Sequence, residues 1–286
     1  MMPDPPPILS HKVYHAPSVF TPDNLLREAR RQNSIAAGSI PEICVLDPDG
    51  DIVQHLVKTG QARCNPNWAC YHTWMYNFDL AGIECGILGN VVGAAFATLV
   101  AEELFVSGCE LLISMTSAGQ IVNMGPPPYF VLIERALRDE GTSYHYLPPA
   151  PYSEINRALL ERLEGAVQQS PIRATRGATW TTDAPFRETG AAIDFARAEG
   201  ILAVEMEAAA LYAFAQARSK NVVCFAHVTN QMGNVENDFE KGAAQGSLDA
   251  LQIIRQTAQA WLEPDSRQTA ESGHAISPPC RMPLKK

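Results

Sequence analysis

Residues 204–214 read VEMEAAALYAF. Two carboxylates, Glu205 and Glu207, stand at the head of an apolar run. Read as a helix, the run places Met206, Ala209, Ala210 and Ala213 at i, i+3, i+4 and i+7, which is one buried stripe. The small residues Ala208, Ala209 and Ala210 let a neighbouring element pack close. The carboxylates have two readings. Both serve the first helical turn, where negative charge meets the positive end of the helix dipole, or one of them faces a ligand at the helix start. The rest of the chain has to choose between them.

Outward from this stretch, short apolar runs alternate with amphipathic ones. EICVLD (42–47), GIECGIL (82–88), CELLISM (109–115) and NVVCFAHVTN (221–230) read as strands. FTPDNLLREARRQ (20–32) has Pro22 and Asp23 at a helix start. GNVVGAAFATLVAEELFVSG reads as a turn and then a helix that stops at Gly108. PYFVLIERALRDEGTS is expected to be helical up to Gly141. ATWTTDAPF (178–186) is polar and is expected to be loop or strand edge. Helices are expected over 190–200 and 247–262. Strands alternating with helices imply an α/β layered domain with a largely parallel sheet. No repeat and no central linker interrupts the pattern. The expected division is an N-terminal extension with one helix (1–40), one catalytic domain (41–264) and a flexible tail (265–286).

Composition narrows the classes. The chain has 286 residues, 46% apolar and 19% charged, so a sizeable core is available. A net charge of −9 argues against a general nucleic-acid or acidic-membrane surface. The apolar run VVGAAFATLVA is too short to span a bilayer and ends in Glu102-Glu103. The start, MMPDPPPILSHK, is Pro-rich and does not read as a signal peptide. Cys44, Cys64, Cys70, Cys85, Cys109, Cys224 and Cys280 form no CxxC pair and read as reduced thiols of a cytoplasmic protein. No His, Cys or Asp spacing suggests a metal, and no cofactor is expected.

Polar clusters follow three strands: DPDGD after 42–46, TSAGQ after 109–115 and TNQ after 221–228. Open α/β folds bind ligands at the carboxyl ends of their strands. Gly and Asp also make turns, and for DPDGD the plain alternative is a strand-to-helix turn with Asp47 capping and Gly50 relieving strain. Three such clusters together with Glu207 point to a small-molecule site.

Four blocks carry a family resemblance: AVEMEAAALYAFA, WTTDAPFRET, LLISMTSAGQI and GTSYHY. VEMEAAA is the most specific. LLISMTSAGQI resembles segments that read TGSAGGL or RVGTAG. The chain resembles the nucleoside phosphorylase and nucleosidase superfamily, in its uridine phosphorylase-like branch. The resemblance implies a three-layer α/β/α sandwich around a mixed, partly barrel-like sheet. It implies cleavage of a nucleoside N-glycosidic bond, with phosphate as a candidate co-substrate. It also implies a homo-oligomer, dimer or hexamer, whose neighbours help close each site.

By position, Glu207 would accept hydrogen bonds from the ribose 2′- and 3′-hydroxyls. Met206 would pack on the sugar, and Glu205 would lie near the site edge. A fixed carboxylate there favours the positive charge of an oxocarbenium-like sugar. Ser117 and Gly119 would line the nucleophile and base side. Phe186 and Trp180 are candidates to stack on the base, with core packing as the alternative. Arg187 is either a base contact or a surface charge. His72 is a further candidate in the pocket. His72 and His227 are candidate acids, although a histidine on an apolar strand such as His227 also fits a satisfied core position.

The sequence departs from the phosphorylase pattern in three places. Ser114 stands where an arginine would hold phosphate. DPDGD, with Asp49 and Asp51, replaces a loop like GDPGR, so the loop is acidic where phosphorylases are basic. A dianion beside unpaired carboxylates would be poorly held. Asn230 stands where purine-cleaving members have an aspartic acid. Asn can hydrogen-bond a carbonyl-bearing base but cannot give it a full proton. The expected activity is therefore glycosidic cleavage with water favoured over phosphate, and with Asp51, Glu207 and Asn230 as catalytic residues. A phosphate-dependent uridine or purine nucleoside phosphorylase and a non-catalytic nucleoside binder are the alternatives. Arg173 and Arg176 are the cations that could restore phosphate binding.

Overall fold

A computed structural model describes residues 5–232 and 236–263. The expected tail, with Cys280, lies outside the described residues. Ten strands form one sheet: β1 (Ile43–Asp47), β2 (Ala62–Cys64), β3 (Met75–Leu80), β4 (Ile83–Gly89), β5 (Leu111–Gln120), β6 (Tyr129–Asp139), β7 (Tyr152–Glu154), β8 (Ala174–Thr182), β9 (Ala203–Glu205) and β10 (Asn221–Asn230). The helices are α1 (Pro22–Asn33), α2 (Asp51–Lys58), α3 (Ala94–Val106), α4 (Arg157–Gln168), α5 (Gly190–Ala198), α6 (Ala208–Arg218) and α7 (Ser247–Leu262). The helices cover two faces of the sheet. α3 packs on α6, while α2 and α4 pack on α7. This is a three-layer α/β/α sandwich with a mixed central sheet.

The sheet is mixed rather than largely parallel. β1 pairs in parallel with β4 and β5, and β10 with β5, whereas β10–β6, β5–β9 and β3–β4 are antiparallel. β6 pairs with β8 and β8 with β9, so β5, β10, β6, β8 and β9 close on one another as a small barrel. Closure removes the free edges of these strands. It also explains why TSAGQ is itself strand and does not merely follow one. β5 continues to Gln120 because Gly119 and Gln120 pair with Val204 and Ala203 of β9.

Three more readings of the sequence are corrected by this closure. Residues 129–139 are a strand, not a helix. The run Tyr-Phe-Val-Leu-Ile is apolar at every position, and its residues 129–133 are all buried between neighbours on both faces. Such a run carries no period that separates a buried strand from a buried helix. Residues 177–182 of β8 are buried although three of them are threonine, so this part is neither loop nor edge, whereas 183–186 leave the strand as a loop. Finally, VEMEAAALYAF is not one helix. Residues 203–205 are strand β9 and the helix begins at Ala208, which leaves Met206 in the turn and partly exposed.

Among the described residues no helix is long and apolar enough to cross a membrane, and no group of three or more His, Cys, Asp or Glu is arranged to hold a metal ion. The six described cysteines are free thiols.

Candidate active site

The turn between β9 and α6 gives its two carboxylates different work. Glu205 is buried, and its Oε2 accepts hydrogen bonds from the backbone N–H groups of Glu207 and Ala208, each at 2.7 Å. Its Oε1 accepts from the Thr179 hydroxyl at 3.1 Å and from the Thr181 hydroxyl. Thr181 Oγ1 in turn accepts from Ala209 N at 2.9 Å. Glu205 and Thr181 together satisfy the amides at the start of α6 that the helix itself leaves open. Two of the three buried threonines of β8, Thr179 and Thr181, are thereby explained. The Glu205 oxygens are spent on the fold. Burial pushes its carboxyl above the ordinary value, against the pull of these hydrogen bonds.

With the helix start satisfied by Glu205, the Glu207 side chain is free to turn elsewhere. Its Oε1 accepts from Gly93 N at 2.7 Å, and its Oε2 accepts from the Thr116 hydroxyl. Gly93 holds φ at +90° at the start of α3, a conformation that L side chains rarely adopt. Burial, and then the negative charge of Glu205, push Glu207 up to about 7. The group is poised to change charge near neutral pH.

β5 is the spine of the site. Thr116 meets Glu207. Ser117 lines a cleft with Asp47, Asp49, Asp51 and His227. Gly119 pairs with Asn230 across β10, and a Cβ there would meet Asn230 Oδ1 at 3.2 Å and Met232 Sδ at 2.5 Å. Asn230 is 9% exposed. Its Oδ1 accepts from Met232 N at 2.9 Å, and its Nδ2 donates to Thr229 Oγ1 at 3.2 Å.

The cleft holds an ion cluster that the sequence does not announce. Lys241 Nζ lies 2.6 Å from Asp49 Oδ2 and 2.5 Å from Asp51 Oδ2. Beneath it Asp47 is buried, its Oδ2 accepting from Val53 N at 2.9 Å, and Gly50 begins α2 at φ +79°. The turn-building roles of Asp47 and Gly50 are thus present, and they leave Asp49 and Asp51 to face the cleft. Burial pushes Asp47 up to about 7. His227 stacks on Phe130, ring centroids 4.4 Å apart and planes 6° apart. Burial, then the charge of Lys241, push it down to about 4, so its ring is neutral at pH 7. Ser114 is fully buried and brings no cation.

Other residues singled out by the sequence lie elsewhere. Phe186 is 99% exposed and Arg187 is exposed, both on a short 3-10 turn. Trp180 is core: it packs with Ile121, Ile201 and Val204 and donates to Asp139 Oδ2 at 3.0 Å. His72 is exposed and edge-on to Phe96. Arg173 donates to the carbonyls of Pro126 and Met124. Arg176 pairs with Glu134 and Glu164. Neither arginine serves the aspartate cleft. Lys241, Thr116 and Gly93 stand outside the residues that the sequence singles out by number. For Thr116 a signal existed, since it directly precedes Ser117 in TSAG.

The sequence profile of the Phosphorylase superfamily matches residues 42–259. A uridine phosphorylase of Thermococcus kodakarensis is 27% identical over 208 residues, covering 64% of this chain and 70% of that protein. Among solved structures, a uridine phosphorylase from Vibrio fischeri ES114 has a TM-score of 0.65 at 21% identity, covering 77% of this chain and 93% of the other. A 5′-methylthioadenosine/S-adenosylhomocysteine nucleosidase from Neisseria meningitidis, in complex with methylthio-immucillin-A, has a TM-score of 0.62 at 15% identity, covering 77% and 100%. At such identities the structural likeness speaks for the fold alone. The profile, by contrast, spans most of the chain and includes β1, β5, the β9–α6 turn and β10, and on that ground the chain belongs to the Phosphorylase superfamily.

Proposed function

We propose that this chain cleaves the N-glycosidic bond of a nucleoside with water as the nucleophile. Glu207 faces the sugar, Asp51 is the leading general base for water with Asp49 second, and Asn230 meets the base. The observation that carries the choice of water is the Lys241 cluster. A lysine already within 2.6 Å of two carboxylates has no charge to spare for a phosphate dianion. The cluster of Asp49, Asp51 and Lys241 keeps a net negative charge, and buried Asp47 adds to it whenever it ionises. Such a cleft repels phosphate and can orient a water. General-base help of this kind is worth roughly 10²–10⁴-fold.

In this reading the water gives a proton to the carboxylate as its oxygen bonds to the anomeric carbon. The C–N bond breaks, and its electrons leave with the base. An ionised Glu207 stabilises the positive sugar between the two events. Phosphorolysis is the second reading, favoured by the relative named as a uridine phosphorylase. The test is cleavage in phosphate-free buffer and again with millimolar phosphate, with the sugar product identified. Free sugar in both, lost in Asp51→Asn, supports hydrolysis. Sugar 1-phosphate formed only with phosphate overturns it. Binding of nucleosides without any product would make the chain a binder.

A further inference from the structure

We propose that Glu207 receives one sugar hydroxyl rather than a vicinal pair, so that the site takes 2′-deoxyribonucleosides in preference to ribonucleosides. This rests on the reading of the site as nucleoside-cleaving. A vicinal diol binds a carboxylate best when each hydroxyl takes its own oxygen. Here both oxygens already have a donor from the chain. Oε1 accepts from Gly93 N at 2.7 Å, and Oε2 accepts from the Thr116 hydroxyl. A carboxylate offers about four acceptor positions, but Glu207 is only 2% exposed and Thr116 only 1%. The unused positions are therefore almost closed off.

Thr116 is the residue that closes them. In both segments that this strand resembles, TGSAGGL and RVGTAG, glycine stands at its position. Its Cβ, Oγ1 and Cγ2 are atoms that this chain adds beside the sugar-facing carboxylate. The hydroxyl supplies to Oε2 the hydrogen bond that a second sugar hydroxyl would supply. With Oε2 so occupied, a 2′-hydroxyl is left without that acceptor, while a 2′-methylene needs none. A hydroxyl lodged without a partner is the kind of mismatch that separates substrates. Thr116 is thus a specificity-determining residue for the sugar.

The test compares kcat/KM for uridine with 2′-deoxyuridine, and for inosine with 2′-deoxyinosine. A 2′-deoxy glycosidic bond is intrinsically easier to break, so the wild-type ratio alone does not decide. The deciding quantity is the change in the deoxy-to-ribo ratio on Thr116→Gly. The expected result is a shift of roughly 10- to 100-fold toward the ribonucleosides, with thermal melting confirming the fold. Should Thr116→Gly not fold, Thr116→Ala removes the same hydroxyl while keeping Cβ, and a shift in the same direction is expected. A ratio unmoved in the folded variant overturns the inference and leaves the nucleoside reading intact. A wild-type protein that neither binds nor cleaves any of the four sinks both.

Discussion

Glu205 Oε2 accepts a hydrogen bond from the backbone N–H of Glu207 at 2.7 Å, so one carboxylate of the motif holds the other in place. The first prediction follows from this division. Glu205→Ala leaves Thr179, Thr181 and two amides of α6 without their acceptor. It should cost about 3 kcal/mol of stability. At about 2–4 °C per kcal/mol for a chain of this size, the melting temperature should fall by roughly 6–12 °C. Glu207→Ala should leave a folded protein whose turnover drops by orders of magnitude. Near-normal turnover in a folded Glu207→Ala protein would remove Glu207 from the site.

The second prediction concerns pH. Glu207 is raised from 4.5 to about 7, chiefly by burial. The folded state therefore binds this proton more tightly than the unfolded chain does. Its contribution to stability is fully present below about pH 4.5 and is lost as pH rises through about 7. Glu207→Gln removes that slope. The stability of the wild type relative to Glu207→Gln should fall by a few kcal/mol between those limits, read as diverging melting temperatures. Activity should move the other way, because an ionised Glu207 favours the positive sugar: kcat/KM should rise through about pH 7. Parallel melting curves across this range would contradict the assignment.

The third prediction concerns the base. Asn230 hydrogen-bonds but gives no full proton, and it is set beside Gly119 at the tip of β10. Uridine- and inosine-like substrates, whose bases carry a carbonyl, should be cleaved faster than adenosine-like ones. Competition kinetics measure this directly. Faster cleavage of adenosine would count against Asn230 as the base contact.

The fourth prediction concerns Lys241. Removing it by Lys241→Met leaves Asp49 and Asp51 without their shared cation. The three side chains are 24%, 34% and 22% exposed, so solvent screening limits the loss to about 1 kcal/mol. Lys241→Met combined with Asp49→Asn should recover part of it, which a double-mutant cycle reads as coupling. Phosphate should still fail to stimulate cleavage in Lys241→Met. Independent, additive effects would show that the cluster does not act as one unit.

The sequence by itself carried the layered α/β architecture and most of its helices, because amphipathic periods and glycine stops are local properties. The 247–262 helix and the 221–230 strand are where the pattern places them. It also singled out Glu207 as a candidate, because VEMEAAA is a contiguous string. What it could not decide was the state of runs without a period. Residues 129–133 are apolar throughout, and only barrel closure buries both of their faces as a strand. Thr179 and Thr181 of β8 read as polar surface until Glu205 is placed against them. Nor could it show that Glu205 caps while Glu207 turns to Gly93 and Thr116, since the direction of each side chain depends on a strand-to-helix turn. Lys241 meets Asp51 across 190 residues of chain, and the donors to Glu207 come from β5 and the start of α3. Pairings of that range leave no local trace, because they are fixed by how the strands close and not by neighbouring residues.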